Sequence, residues 1–384
     1  MIYLDNSATT RPAPEVVQAV TQVLTEDFGN PSALYRVGLD AEKILKAARE
    51  EVAKSLECKP AEVTFTSCGT ESNNTVLKGV WKSRKRQGKR IITTSVEHPA
   101  ILRVCEELEH DGADVVYLPV NADGSFNMDA FDAALNSDTI LVSVMYVNNE
   151  SGAVMPIKEL AAKVHAQGNG CLMHTDAVQA YGKLNCSVKE LGVDFLSLSG
   201  HKVHGPKGVG ALYIRSGIHI PAFLLGGGQE AAFRSGTENM PGIAGLGAAA
   251  KLLNANWKNN AAKMAETRAY LKERILAEIP DVKINSPENA APSVLNVSFI
   301  GCRAEVLLHQ LEGDEIYIST GSACSSKKKG SHVLTAMHLR PEEIEGAIRF
   351  SFCADNTKEQ MDTVVEKLKF YTSSQRRLRK AFRK

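Results

Sequence analysis

Short apolar runs alternate with helix-like stretches along most of the chain. Val63-Thr64-Phe65-Thr66 is rich in β-branched and aromatic residues and predicts a strand, with a helix over about 72–86. The pairing repeats, with a strand over 90–94 and a helix over about 99–111. Further strands are predicted over 115–118, 140–147, 171–175, 194–199 and 209–214. Strands alternating with helices imply crossover units and a mostly parallel sheet, seven strands here, covered by helices on both faces. Ligands of such sheets bind at the carboxyl ends of the strands. Beyond Gly242 the pattern changes. Residues 243–279 are Ala-, Leu-, Lys- and Glu-rich and helix-prone, and shorter strands follow over 294–299, 316–319 and 348–352. A last helix is predicted over about 358–371. The expected fold is therefore α/β: a large domain over 12–255, and a smaller α+β domain over 256–384 on which the N-terminal arm, 1–11, packs.

Composition narrows the class. The chain has 384 residues, 43% hydrophobic and 23% charged, ordinary for a globular protein with a sizeable core. No apolar run approaches the ~18 residues of a membrane helix, and Met1-Ile2-Tyr3-Leu4-Asp5 has no signal-like character. The expected location is cytoplasmic. None of the eight cysteines forms a C-x-x-C pair, so their spacing suggests neither zinc nor a thioredoxin-like motif. Net charge is +1, but residues 376–384 carry six basic and no acidic side chains. A mildly acidic body thus ends in a basic tail.

Candidate chemistry gathers at the predicted strand ends. Lys202 closes Ser199-Gly200-His201-Lys202, directly after Asp194-Phe195-Leu196-Ser197-Leu198. Asp176 precedes it in His174-Thr175-Asp176-Ala177-Val178-Gln179. A lysine and a carboxylate on nearby strand ends suit pyridoxal 5′-phosphate (PLP): the lysine forms the Schiff base and the acid pairs with the pyridinium nitrogen. The plain alternative for one lysine in a polar turn is a solvated side chain. Ser67-Cys68-Gly69-Thr70-Glu71 follows a strand and opens a helix, where unpaired N–H groups and the dipole favour phosphate. Gly69 lets the backbone approach and Thr70 adds a hydroxyl; the alternative is an ordinary N-cap. His98, in Glu97-His98-Pro99, either stacks on a ring or caps a helix. Asn149 ends another strand and suits a ring hydroxyl, and Gln179 faces the same way as Asp176 if a helical turn begins there.

Taken in order, these blocks resemble cysteine desulfurases of the NifS/IscS type. The resemblance runs through Asp5-Asn6-Ser7-Ala8-Thr9-Thr10, Gly29-Asn30-Pro31-Ser32, Gly69-Thr70-Glu71-Ser72-Asn73-Asn74, Glu97-His98-Pro99 and Asn148-Asn149-Glu150. It continues through the Asp176 and Lys202 blocks, Arg234-Ser235-Gly236-Thr237-Glu238-Asn239 and Gly321-Ser322-Ala323-Cys324. The resemblance implies a PLP enzyme of fold-type I, class-V aminotransferase, working as a homodimer on L-cysteine. It implies Lys202 as the Schiff-base lysine, Asp176 as partner of the pyridine nitrogen and His98 as the stacking ring. Asn149 and Gln179 would address the ring oxygen. Gly69, Thr70, Ser199 and His201 would hold the phosphate, and Thr237 would reach the phosphate of the neighbouring subunit. Arg349, assisted by Asn30, would clamp the substrate carboxylate, which suits a guanidinium fork.

Cys324 selects the reaction. Small residues flank it and Lys327-Lys328-Lys329 follow, and nearby cations favour the nucleophilic thiolate. The expected products are L-alanine and a persulfide on Cys324, passed to an acceptor for iron–sulfur cluster assembly or tRNA thiolation. No resident metal is expected, beyond a transient iron–sulfur contact at Cys324. Ser325-Ser326-Lys327-Lys328-Lys329-Gly330-Ser331-His332 is one residue shorter and more basic than the commoner family pattern, and Cys68 stands where glycine or alanine is frequent. The basic loop and tail point to an acidic scaffold or a tRNA-thiolation sulfurtransferase, with direct tRNA contact a further possibility. Selenocysteine lyase, another class-V aminotransferase and a non-catalytic sulfur-carrier subunit are the rival readings.

Overall fold

The computed structural model describes residues 1–320 and 330–381. Seven strands form one sheet: β2 (Val63–Thr66), β3 (Arg90–Thr94), β4 (Asp114–Leu118), β5 (Thr139–Ser143), β6 (Leu172–Asp176), β7 (Phe195–Ser199) and β8 (Gly210–Ile214), after a short β1 (Ile2–Tyr3). Their order is β2-β8-β7-β6-β5-β3-β4, with only β8 reversed against its two neighbours. β5, β6 and β7 are buried along their whole length, as a sheet covered on both faces requires. One apolar layer, including Val142, Met173, Leu196 and Leu198, lies on one face, and Ile91, Leu141, Phe195 and Leu212 lie on the other.

Three boundaries differ from the sequence reading. The helix after β2 begins at Gly69, not near 72, because the Ser67 N–H donates to Glu71 Oε2 at 2.9 Å and secures the first turn. β5 stops at Ser143, short of 147. Beyond it the chain folds back, with Val147 bridging Val154 and Asn148 Oδ1 accepting from the N–H groups of Glu150 and Ser151. The last helix, Lys358–Ala381, is ten residues longer than its apolar pattern suggested and includes the start of the basic tail. Arg376 donates to the carbonyls of Ile300 and Asp281, and Gln375 accepts from the Arg303 N–H.

The smaller unit is built on an antiparallel sheet of β9 (Val282–Ile284), β10 (Val294–Phe299) and β12 (Ala347–Ser351), with β10 central. β1 pairs in parallel with β11 (Ile316–Tyr317), and the Ser351 N–H donates to Leu4 O at 2.7 Å, so the N-terminal arm is part of this unit. Residue 256, where the smaller domain was expected to begin, lies inside one 39-residue helix, Met240–Glu278. Its first half (Ile243, Leu246, Ala250) packs with the large sheet's core, and its second half (Met264, Leu271, Ile275) with the small core.

Candidate active site

The carboxyl ends of β2, β3, β5, β6 and β7 open onto one cavity of about 340 Å³. Gly69 and Thr70, His98, Asn149, Asp176 and Gln179, and Ser199, His201 and Lys202 all line it. The smaller unit closes it with Arg349, Ser331 and His332, and the N-terminal arm adds Asp5, Ser7 and Ala8. Asp176 is held by two donors: Asn73 Nδ2 to Oδ2 at 2.7 Å and the Val178 N–H to Oδ1 at 2.9 Å. Lys202 Nζ donates to the carbonyls of Ser7 and of Ala8, the latter at 2.8 Å. Gly69 starts a 16-residue helix whose N-cap, Cys68, makes no side-chain cap. A Cβ at Gly69 would sit 2.5 Å from Val178 Cγ2, so only glycine fits between the two turns. Buried polar atoms normally find partners. Among the described residues Ser7 Oγ, Gln179 Oε1, Ser199 Oγ and Arg349 Nε are buried and have none, and all four belong to residues of this cavity wall.

The site's charges are shaped by burial. His98 Nδ1 accepts from the Ala100 N–H at 3.1 Å, which leaves the proton on Nε2. Desolvation and the nearby Lys202 and His332 lower the His98 pKa, against the pull of Asp176, so the ring is held neutral. His201 is pushed down to about 4 by desolvation and then by Lys202, Lys207 and Lys183. Arg349 is already engaged: one prong donates to Asp5 Oδ1 at 2.7 Å and another to the Asn149 carbonyl at 2.8 Å. Glu150 is raised by burial, opposed by the Ser331 hydroxyl, His332 and Arg349.

Glu97 is fully buried, and burial raises its pKa to about 8 although the Met145 N–H and the Thr94 hydroxyl both donate to Oε1. Its Oε2 has no partner among the described residues. The folded protein therefore binds a proton there that the unfolded chain gives up above 4.5, so Glu97 costs stability as pH rises from about 4.5 to 8. The cost is roughly 3 kcal/mol at pH 7. Glu97→Gln is expected to melt increasingly above the parent as pH rises from 5 to 8. A gap independent of pH in thermal melts would show that the carboxyl stays ionised.

Most of the residues expected from sequence meet at this cavity, but two do not line it. Asn30 is exposed, and its Oδ1 accepts from the Ser32 N–H at 2.9 Å. Thr237 is also exposed. Cys324 lies outside the described residues. Sequence reasoning passed over Asp5, Asn73, Glu97, Glu150, Ser331 and His332. The first four stand inside the blocks that carried the resemblance, and Asn73, Glu97 and Glu150 share theirs with residues given a role. Ser331 and His332 join the cavity through tertiary bonds only: the Ser331 hydroxyl donates to Glu150, and His332 Nε2 to the Glu97 carbonyl at 3.0 Å.

The chain matches known proteins over nearly its whole length. The family described as aminotransferase class-V matches residues 2–364. A cysteine desulfurase IscS of Methanosarcina thermophila is 45% identical over 367 residues, 95% of this chain and 90% of that protein. Among solved structures, a NifS-like protein superposes with a TM-score of 0.91 at 38% identity, covering 97% of this chain and 99% of the other. The protein SspA, solved in complex with cysteine, superposes with a TM-score of 0.82 at 34% identity, covering 93% of this chain and all of the other.

Proposed function

The chain belongs to the class-V aminotransferases and, among them, to the cysteine desulfurases, and on that premise we propose that it works on L-cysteine with PLP as resident cofactor and Cys324 as sulfur acceptor. The observation that carries the reading is the set of buried, unpartnered atoms of Ser7, Gln179 and Ser199 on the wall of the cavity that also holds Asp176 and Lys202. A ring bearing a hydroxyl and a phosphate matches that set, since the two serine hydroxyls can donate to its oxygens and Gln179 Oε1 can accept from the ring hydroxyl. Asn149 and Gln179 suit the ring oxygen and His98 the ring face. The uncapped helix start at Gly69 and Thr70, with Ser199 and His201, suits the phosphate. Asp176, fixed by Asn73 and Val178, suits the ring nitrogen.

When bound, PLP supplies an electron-withdrawing ring that makes the α-hydrogen of an amino acid acidic. The remaining work falls to the chain. Arg349 exchanges its contact with Asp5 for the substrate carboxylate, so that the α-carbon is presented to Lys202. Lys202 removes the α-proton as general base. Neutral His98 would face the ring without adding a charge that repels its protonated form. The Cys324 thiolate then attacks the substrate sulfur. An S–S bond forms as the Cβ–S bond breaks, and the proton given up by the Cys324 thiol ends on alanine. Holoenzyme supplied with L-cysteine is expected to release alanine in step with protein-bound sulfur, and turnover of selenocysteine alone would move the chain to the lyases.

The same reading includes a homodimer in the cytoplasm. Leu34, Tyr35 and Phe28 stand exposed near Asn30 in the sequence, and Leu225 is exposed in the loop leading to Thr237, large apolar side chains that a second copy would cover. Asn30 and Thr237 would then serve the neighbouring site. Among the described residues no helix is long and apolar enough to cross a membrane.

The sulfur acceptor we propose is an acidic protein, an iron–sulfur scaffold or a tRNA-thiolation sulfurtransferase, meeting the face of the last helix. That helix exposes Phe370, Arg377 and Leu378. Truncating the tail would also remove Arg376 from its backbone partners, so charge reversal is the cleaner probe. Arg377→Glu is expected to slow persulfide transfer to the cognate acceptor several-fold and to leave alanine formation unchanged. Equal slowing of both rates would refute a docking role. Direct tRNA binding would instead weaken steeply with salt.

A further inference from the structure

Lys183, in the turn after β6, has no part in the site described above. Its side chain is 6% exposed, and its Nζ has no hydrogen-bond partner among the described residues. An orphaned buried ammonium costs far more than an orphaned amine. Burial, and then the charge of Lys202, lowers its pKa to about 7 against a small opposing effect of Cys186. Lys183 and Lys202 line one small, solvent-connected cavity of about 40 Å³, and Lys202 also lines the active-site cavity. The titratable groups facing this space are the two lysines, His204 and Cys353, while the long helix contributes only Leu253, Asn260 and Met264. The volume is enough for water, which needs about 10–15 Å³ and polar neighbours. Gly182 and Leu253 line both this space and a surface groove of about 420 Å³ bearing Lys54, Glu57 and Glu190. That wall is closely packed: a Cβ at Gly182 would meet Leu253 Cδ2 at 2.8 Å, so the groove is shut off from Lys183.

We propose that Lys183 is the partner through which protons carried by Lys202 exchange with solvent, by way of the small cavity and not through the substrate-filled one. This rests on the reading of Lys202 as the base. Lys202 passes an ammonium proton to water in the small cavity as that water protonates the Lys183 amine, and Lys183 then loses a proton to solvent through the opening of the same cavity. The reverse sequence returns the proton needed to complete alanine, so no net proton is made or consumed. Lys183 touches neither substrate nor cofactor and acts only through Lys202. A substrate closing the main cavity would otherwise trap the proton it has just given up.

Two measurements test this. In cofactor-free protein labelled with ¹⁵N-lysine, Lys183 is expected to give a neutral-amine signal at pH 8 that disappears in Lys183→Met. An ammonium signal at pH 8 would overturn the proposal, since a permanently charged group takes up no proton. In the holoenzyme, L-cysteine deuterated at Cα is expected to give alanine with most of its label washed out. Lys183→Met, a neutral side chain of similar length, is expected to retain at least roughly threefold more label. Lys183→Ala should behave likewise and recover washout with added ethylamine. Equal retention in parent and variants, each with the visible band of a lysine-bound cofactor, sinks the relay and leaves Lys202 as base. Absence of that band in the parent protein removes the Lys202 reading, and the relay with it.

Discussion

Lys202→Ala is expected to abolish the visible absorbance of bound cofactor and to cut alanine formation by at least about 10³-fold. Two losses combine: the covalent anchor and the base that removes the α-proton. Among the described residues of the active-site cavity, Lys202 is the only lysine. Lys183 cannot replace it, since it lines the smaller cavity and not this one. His98 is also poorly placed to substitute, because its Nδ1 is occupied by the Ala100 N–H and the other nitrogen carries the proton. The fold should tolerate the change. Lys202 contributes hydrogen bonds to the Ser7 and Ala8 carbonyls, but the arm keeps the Thr10 bonds to the His201 carbonyl and its pairing with β11. Circular dichroism and melting should therefore match the parent. An unchanged visible spectrum with added PLP would remove Lys202 from its role, whatever the activity.

The large sheet was legible because β5, β6 and β7 are buried on both faces and so read as unbroken apolar runs. The strand ends were legible for the same reason: polar residues such as Asp176 and Ser199 stand out where an apolar run stops. What the sequence could not expose is what other segments bring to those ends. Nothing local in Ser7 or Ala8 says that their carbonyls meet Lys202 across 195 and 194 positions. Ser331 and His332 read as loop residues until Glu150 and the Glu97 carbonyl are beside them. Glu97 was visible within its motif, but its protonation depends on burial, which a single strand end does not reveal. Lys183 was hidden in a similar way, since a lysine in a polar turn reads as solvated. The length of the last helix was missed because Arg376 and Gln375 anchor it by polar bonds, where an apolar period was sought.

Cys324→Ala should stop sulfur release altogether while leaving the cofactor band and the spectral response to L-cysteine intact. The step lost is the attack on sulfur, which needs a thiolate. Six of the other seven cysteines are poor substitutes: burial pushes Cys58, Cys171 and Cys186 up to about 12, and raises Cys105, Cys302 and Cys353 as well. At neutral pH those thiols are almost wholly protonated. Cys68 is the informative control, because it lines the active-site cavity beside Gly69. If cavity position alone chose the sulfur acceptor, Cys68→Ala would be the inactive variant and Cys324→Ala would still carry protein-bound sulfur. With ³⁵S-cysteine the two variants separate the cases in a single turnover. Label is expected on Cys68→Ala and absent from Cys324→Ala, by a factor of at least about 10³ in rate. Label bound at parental rates by Cys324→Ala would transfer the acceptor role to another thiol, with Lys202 and Asp176 keeping theirs.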